Sequence, residues 1–262
     1  MNDPVQRFGG IARLVSDEGL ARLRAAHVCV VGIGGVGSWT VEALARSGVG
    51  ALTLIDLDEV CVTNINRQLH ALDSTVGRAK VEVMAERVRL INPECRVTAV
   101  TEFFTEQSAQ RLFAPEFDYV VDAIDALGNK CRLLALCRER NLPVIACGAA
   151  GGRLDGTGVR VTDLADANHD RLLAEVRKRL RQQHGFPPPG QKLGVACVFS
   201  AEPPVSPEPP ACAVEGPGSQ AAPRLNCESG YGSATFVTGA FGFAAAGWVV
   251  RKLAQPRAEI AA

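Results

Sequence analysis

The stretch 27–58, HVCVVGIGGVGSWTVEALARSGVGALTLIDLD, decides the fold. Val28, Val30 and Val31 form a β-branched run bounded by Gly32, the pattern of a buried strand. The turn Gly32-Ile33-Gly34-Gly35-Val36-Gly37 follows, then a segment in which Trp39, Ala43 and Ala45 suit a packed helix and Gly48 its C-terminal stop. LTLID is the next buried strand. Strand, glycine turn, helix and strand make a βαβ unit, the setting in which glycines let backbone N–H groups approach a phosphate at a helix N-terminus. Asp56 ends the second strand, 19 residues after Gly37, where its carboxylate can accept from ribose hydroxyls. Alone, this signal leaves NAD, FAD and ATP open.

Outward from that unit, helices and strands keep alternating. Helices are expected over 80–90, 105–113 and 130–140, and strands over 95–100, 119–124 and 144–147. Such alternation predicts an α/β fold: a doubly wound, mostly parallel Rossmann-like sheet with helices on both faces. Past Gly152 the texture changes. VRVTDLAD reads as a strand, and 166–183 as a helix that starts acidic and ends basic, in keeping with the helix dipole. Ten of the fifteen prolines lie between Pro187 and Pro223, a stretch read as irregular loop interrupted by one strand, KLGVACVFS. A last helix is expected from Gly230 to about Leu253. The chain thus divides into an N-terminal helical arm (1–26), a nucleotide-binding core (27–160), a basic helical insert (161–192) and a C-terminal part of strand, proline-rich loop and helix (193–262), together one compact domain.

Composition narrows the function. Among 262 residues, 28 basic side chains balance 28 acidic ones and 47% are hydrophobic, which excludes intrinsic disorder for most of the chain and a protein that coats nucleic acid by bulk charge. The nine cysteines are odd in number and no apolar leader opens the chain, so free thiols in the cytoplasm are expected. No two cysteines stand three apart, which predicts no structural zinc. The uncharged run 234–250 is short for a membrane span and diluted by Thr235, Thr238, Gly239, Gly242 and Gly247, so it reads as a buried or interface helix.

The run DLDEVCVTNINRQLHALDSTVGRAK separates the nucleotides. It places Asn64, Asn66, Arg67, Gln68 and Lys80 beyond the acidic strand end, on the path of a bound nucleotide's phosphates. A triphosphate under attack needs Arg and Lys to offset charge on the leaving pyrophosphate, whereas an NAD site needs only weakly polar groups. Asp122 and Asp125, in VVDAID at another strand end, offer carboxylates for a magnesium ion carried by that triphosphate. Asp122 has a plainer reading as the cap of the following turn.

GIGGVGS, DLDEVCVTNINRQ, GRAK and DAID, agreeing in order, resemble the ATP-dependent adenylating enzymes related to ubiquitin-activating enzyme, the ThiF, MoeB and HesA group. Within it, RFGGIARL, the basic insert near 163–192, GVACVFS and NCESGYG resemble the tRNA threonylcarbamoyladenosine dehydratase branch, a likeness that runs from Arg7 to about Leu253. The resemblance implies that Gly32, Gly34, Gly35 and Gly37 line ATP, that Asp56 holds the ribose, that Arg67 and Lys80 contact the triphosphate, and that Asp125 is the magnesium carboxylate. It implies a homodimer in which Arg7, 25 residues before Gly32, or else Arg13, reaches into the partner's ATP site. The paired zinc cysteines of sulfur-carrier activators are missing, which disfavours a carrier-protein substrate.

The implied chemistry is attack of a carboxylate on the α-phosphate of ATP with loss of pyrophosphate. The acyl-adenylate of threonylcarbamoyladenosine at tRNA position 37 would then close on itself, releasing AMP, with net loss of water. Superfamily members often use a thiol after adenylation, which makes Cys227 a catalytic candidate and Cys197 a weaker one. RLLAEVRKRLRQQH sets Arg171, Arg177, Lys178, Arg179 and Arg181 against Glu175 alone, with Leu172, Leu173, Val176 and Leu180 to seat the helix, and so suits an RNA backbone. Three competitors remain: an activator of a ubiquitin-like sulfur carrier, an NAD oxidoreductase, and a nucleotide-binding scaffold serving a cysteine desulfurase or sulfur acceptor.

Overall fold

The computed structural model describes residues 4–205 and 231–256. Two helices, α1 (Pro4–Val15) and α2 (Asp17–Ala25), precede β1 (His27–Val31), α3 (Gly35–Arg46) and β2 (Ala51–Ile55). There follow α4 (Lys80–Ile91), β3 (Arg96–Val100), α5 (Glu106–Leu112), β4 (Tyr119–Asp122), α6 (Leu127–Glu139) and β5 (Val144–Cys147). The chain then forms β6 (Val159–Asp163), α7 (Arg171–Gln183), β7 (Ala196–Ser200) and α8 (Thr235–Ala254).

The seven strands lie in the order β3-β2-β1-β4-β5-β7-β6, and every pair is parallel except β6 with β7. Val28, Cys29, Val30 and Val31 of β1 are all buried because β1 is central and covered on both faces. On one face the strands pack with Val41, Leu44, Met84, Phe241 and Val249 of α3, α4 and α8. On the other, Phe104, Leu112 and Phe113 meet Leu133 and Leu136 of α6. A side chain as fully enclosed as these contributes about 1.5–3 kcal/mol. A third cluster seats α7 through Leu173, Val176 and Leu180 against Cys197 and Phe199 of β7. Strand order reverses between β1 and β4, and in open α/β sheets the crevice beyond the strands' carboxyl ends at that point receives ligands.

Several boundaries differ from the sequence expectation, each for a local reason. β4 stops at Asp122 because that carboxylate turns back to accept the Ile124 N–H at 3.1 Å. The basic helix begins at Arg171, five residues late, because Asp170 caps it by accepting the Leu173 N–H at 2.9 Å. The last helix begins at Thr235 because the chain before it is held extended: Gly152 N–H donates to Gly232 O at 2.7 Å and Asn66 Nδ2 to Ser233 O at 2.8 Å. Among the described residues, no helix is long and apolar enough to cross a membrane.

Candidate active site

The glycine turn lies at the crevice between β1 and β4. Gly32 has φ of +90°, and a Cβ there would stand 2.7 Å from Ala123 O in the loop after β4. A Cβ on Gly37 would overlap Gly32 O, so neither position admits a side chain. Gly34 is the N-cap of α3 and supplies no side-chain cap, which leaves the first-turn N–H groups to a ligand. These groups carry the positive end of the helix dipole, roughly half a charge.

Side chains from the crossover after β2 converge on this turn. Asp56 Oδ2 accepts the Ile33 N–H at 2.6 Å, and Oδ1 accepts the Asp58 N–H at 2.8 Å. Burial raises its pKa, opposed by those two N–H groups. Each oxygen keeps a further lone pair for a hydroxyl. Arg67 runs beside the start of α3, its Cγ 3.6 Å from where a Gly35 Cβ would sit. Its Nη1 donates to Thr63 O at 2.7 Å and Asn66 Oδ1 at 3.0 Å. Its carbonyl is pinned by Trp39 Nε1 and Thr238 Oγ1, each at 3.1 Å.

Gln68 is buried beside Gly34, and its Oε1 has no hydrogen-bond partner. Asn64, also buried, accepts the Cys61 N–H at 3.0 Å and so shapes the short turn Val62–Asn64. Lys80 opens α4 and is 5% exposed, with Nζ 2.8 Å from Asp58 Oδ2. Its ion pair with an exposed carboxylate is one that an arriving phosphate can replace.

The two aspartates of VVDAID separate. Asp125 is exposed in the loop after β4. Asp122, expected to contact nucleotide, is instead fully enclosed and serves the fold. Its Oδ2 faces Lys130 Nζ at 3.0 Å, off the direction of a hydrogen bond, and burial raises its pKa. Lys130, fully buried as well, donates to Ile124 O at 3.0 Å and to Asp122 O at 3.3 Å, fastening the loop that carries Asp125. Among the described residues no group of three or more His, Cys, Asp or Glu forms a metal site.

The basic helix is only partly free. Arg171, Lys178 and Arg179 are exposed. Arg177 is spent on Ala167 O at 2.7 Å and Leu164 O at 3.2 Å, and Arg181 on Pro187 O at 3.0 Å, because the loops flanking α7 leave carbonyls that need donors. Arg7 is exposed on α1 and donates to Ile91 O at 2.8 Å; Arg13 is exposed on the same helix.

The thiols also sort themselves. Cys227 lies outside the described residues. Cys197 is buried, its pKa pushed up to about 12 by that burial, which makes it a poor nucleophile. Cys61 is exposed, and the Thr63 hydroxyl lowers its pKa.

A family model described as the ThiF family matches residues 10–261. The chain belongs to the ThiF family. Among curated ThiF-family relatives, the tRNA threonylcarbamoyladenosine dehydratase of Escherichia coli K12 is 50% identical over 251 residues, covering 95% of this chain and 93% of that one. The protein of the same name from Haemophilus influenzae is 48% identical, covering 96% and 95%. A crystal structure of the E. coli dehydratase in complex with ATP superposes with a TM-score of 0.84 at 48% identity, covering 95% of this chain and 94% of that one.

Two residues that shape this ThiF-family site, His70 and Lys130, escaped the sequence reading, as did Arg153 outside it. Arg153 is 3% exposed and donates to His169 O at 2.8 Å and Glu202 O at 3.2 Å, while Asp170 Oδ2 accepts the Ala149 N–H at 2.9 Å. Together they tie the start of α7 to the loop after β5. The only advance signal was a charged residue inside an otherwise apolar segment.

Proposed function

We propose that the chain is an ATP-dependent dehydratase of N6-threonylcarbamoyladenosine at position 37 of tRNA, working through an acyl-adenylate. The observation that carries this is the convergence of the capless N-terminus of α3, Asp56, Arg67 and Gln68 on one crevice of a ThiF-family fold. Near-full-length identity of 50% to a dehydratase of that name supports the substrate.

In this reading ATP lies over Gly32, Gly34, Gly35 and Gly37, with its ribose on Asp56. Asn64 and Gln68 border the nucleotide, and Arg67 and Lys80 meet the phosphates. The threonyl carboxylate attacks the α-phosphate and pyrophosphate leaves, its charge offset by these cations. An atom within the same modification then attacks the acyl carbon and AMP departs. Nucleophile and electrophile are already joined, so positioning supplies much of the rate. A single exposed carboxylate suits magnesium, which keeps most of its waters and binds through one or two carboxylates plus substrate phosphates. Asp125 would hold it, and the ion would neutralise triphosphate charge.

Arg171, Lys178 and Arg179 form the tRNA-facing edge of α7. The active unit is a homodimer in which Arg7, or Arg13, completes the partner's site, and its setting is the cytoplasm. Cys227 is retained as a candidate thiol, and a sulfur-transfer partner as a secondary role. The test is release of AMP from radiolabelled ATP. AMP should form only with tRNA that bears threonylcarbamoyladenosine; AMP formed only when a carrier protein with a Gly-Gly C-terminus is supplied would transfer the assignment to carrier activation.

A further inference from the structure

His70 is 2% exposed and its Nε2 lies 2.7 Å from Ile33 O. A carbonyl oxygen has no proton to give, so Nε2 carries the hydrogen and donates, and Nδ1, which has no partner, is the bare nitrogen. Ile33 is therefore gripped at both ends, its N–H by Asp56 Oδ2 at 2.6 Å and its C=O by His70. The peptide bond is planar and trans, so the C=O of Ile33 and the N–H of Gly34 point in opposite directions. Holding Ile33 O against the buried imidazole turns the Gly34 N–H away from the interior. Gly34 is also the N-cap of α3, so its N–H joins the uncapped first-turn donors.

We infer that His70 is a positioning residue for the nucleotide, acting through the Ile33–Gly34 peptide to aim the Gly34 N–H at a phosphate. Asp56 does the matching work on the preceding peptide: it fixes the Ile33 N–H and thereby sends Gly32 O the other way, toward Gly37. An uncharged donor suits this place. Burial, and after it the charge of Lys80, disfavours a protonated imidazole here, and a buried lysine or arginine would bring a second cation beside Lys80. The inference deepens the proposed adenylation site and rests on it.

The reach of the donor distinguishes positioning from mere packing. Glutamine can place an N–H near the spot that Nε2 occupies, whereas asparagine ends near Nδ1 and leucine has no donor. The direct measurement is the equilibrium Kd for ATP with magnesium on the full chain, which requires no tRNA, with the KM for tRNA and the thermal midpoint beside it. His70→Leu and His70→Asn should weaken ATP binding by about tenfold, the scale of one lost hydrogen bond to a charge-binding turn. His70→Gln should recover it to within about threefold, with the tRNA KM unchanged in all three. If His70→Leu does not fold, the Asn and Gln pair carries the comparison. ATP binding by His70→Asn within about threefold of the unaltered protein, or a Gln variant no better than Asn, would overturn the inference. Failure of the unaltered protein to bind ATP would instead strike the proposed function.

Discussion

Protonating His70 costs the folded protein more than the unfolded chain, because burial pulls its pKa down from 6.5 to about 4. The unfolded state thus binds a proton first as pH falls. The stability that His70 lends is fully present above pH 6.5 and drains away as pH drops from there toward 4, about 3 kcal/mol over the whole span. His27, half-buried and also shifted downward by burial, adds in the same direction. The thermal midpoint should fall between pH 6.5 and 5, and His70→Gln should flatten that fall; an equal slope in the variant would contradict it. At the same scale, Arg67→Ala should leave the midpoint nearly unchanged but cut AMP formation by about 10²–10³, the usual loss for one charge-stabilising group. Steady-state rates at saturating ATP decide this. As candidates, Arg67, Lys80 and Asp56 were legible in the sequence because their spacing from the glycine turn follows the βαβ path. His70 and Lys130 were not, since each spends its donors on backbone carbonyls whose position only the folded loops create.

Helices α3 and α8 pack closely beside the site. A Cβ on Gly242 would sit 2.7 Å from both Trp39 Cβ and Val36 O, whereas Gly247, farther along α8, meets nothing within 4 Å. Replacing a mid-helix glycine by alanine gains about 0.5–1 kcal/mol in helix propensity. Forced overpacking costs about 1–3 kcal/mol, so at Gly242 the cost exceeds the gain. Gly242→Ala should therefore lower the thermal midpoint and Gly247→Ala should raise it, a sign difference that one calorimetric pair reads. The elements themselves were largely legible: a β-branched run marked β1, short apolar runs marked β2, β4 and β7, and alternation marked the parallel sheet. Their ends were less so. The starts of α7 and α8 depend on Asp170 as a cap and on Asn66 gripping Ser233, interactions that local composition does not reveal.

Across the whole molecule, a chain of balanced charge presents cations on one helix, whose start is tied to the loop after β5 by a buried node. Asp170 caps α7 and also accepts the Ala149 N–H, while Arg153 binds the carbonyls of His169 and Glu202. Arg171 and Lys178, two turns apart, face the same way along α7, and Arg179 adjoins them. Reversing all three to Glu should raise the KM for tRNA and reduce its salt dependence by about one unit of log slope for each RNA phosphate that the helix no longer neutralises, with the Kd for ATP unchanged. A variant with full tRNA affinity would remove α7 from the RNA interface. Adenylation by this chain serves to dehydrate a nucleoside within tRNA. The measurement is the mass of that nucleoside after incubation with ATP and magnesium, followed by mild digestion so that a strained ring survives. Loss of one water from threonylcarbamoyladenosine is expected, only with ATP and in step with AMP; an unchanged mass while ATP is consumed would contradict dehydration.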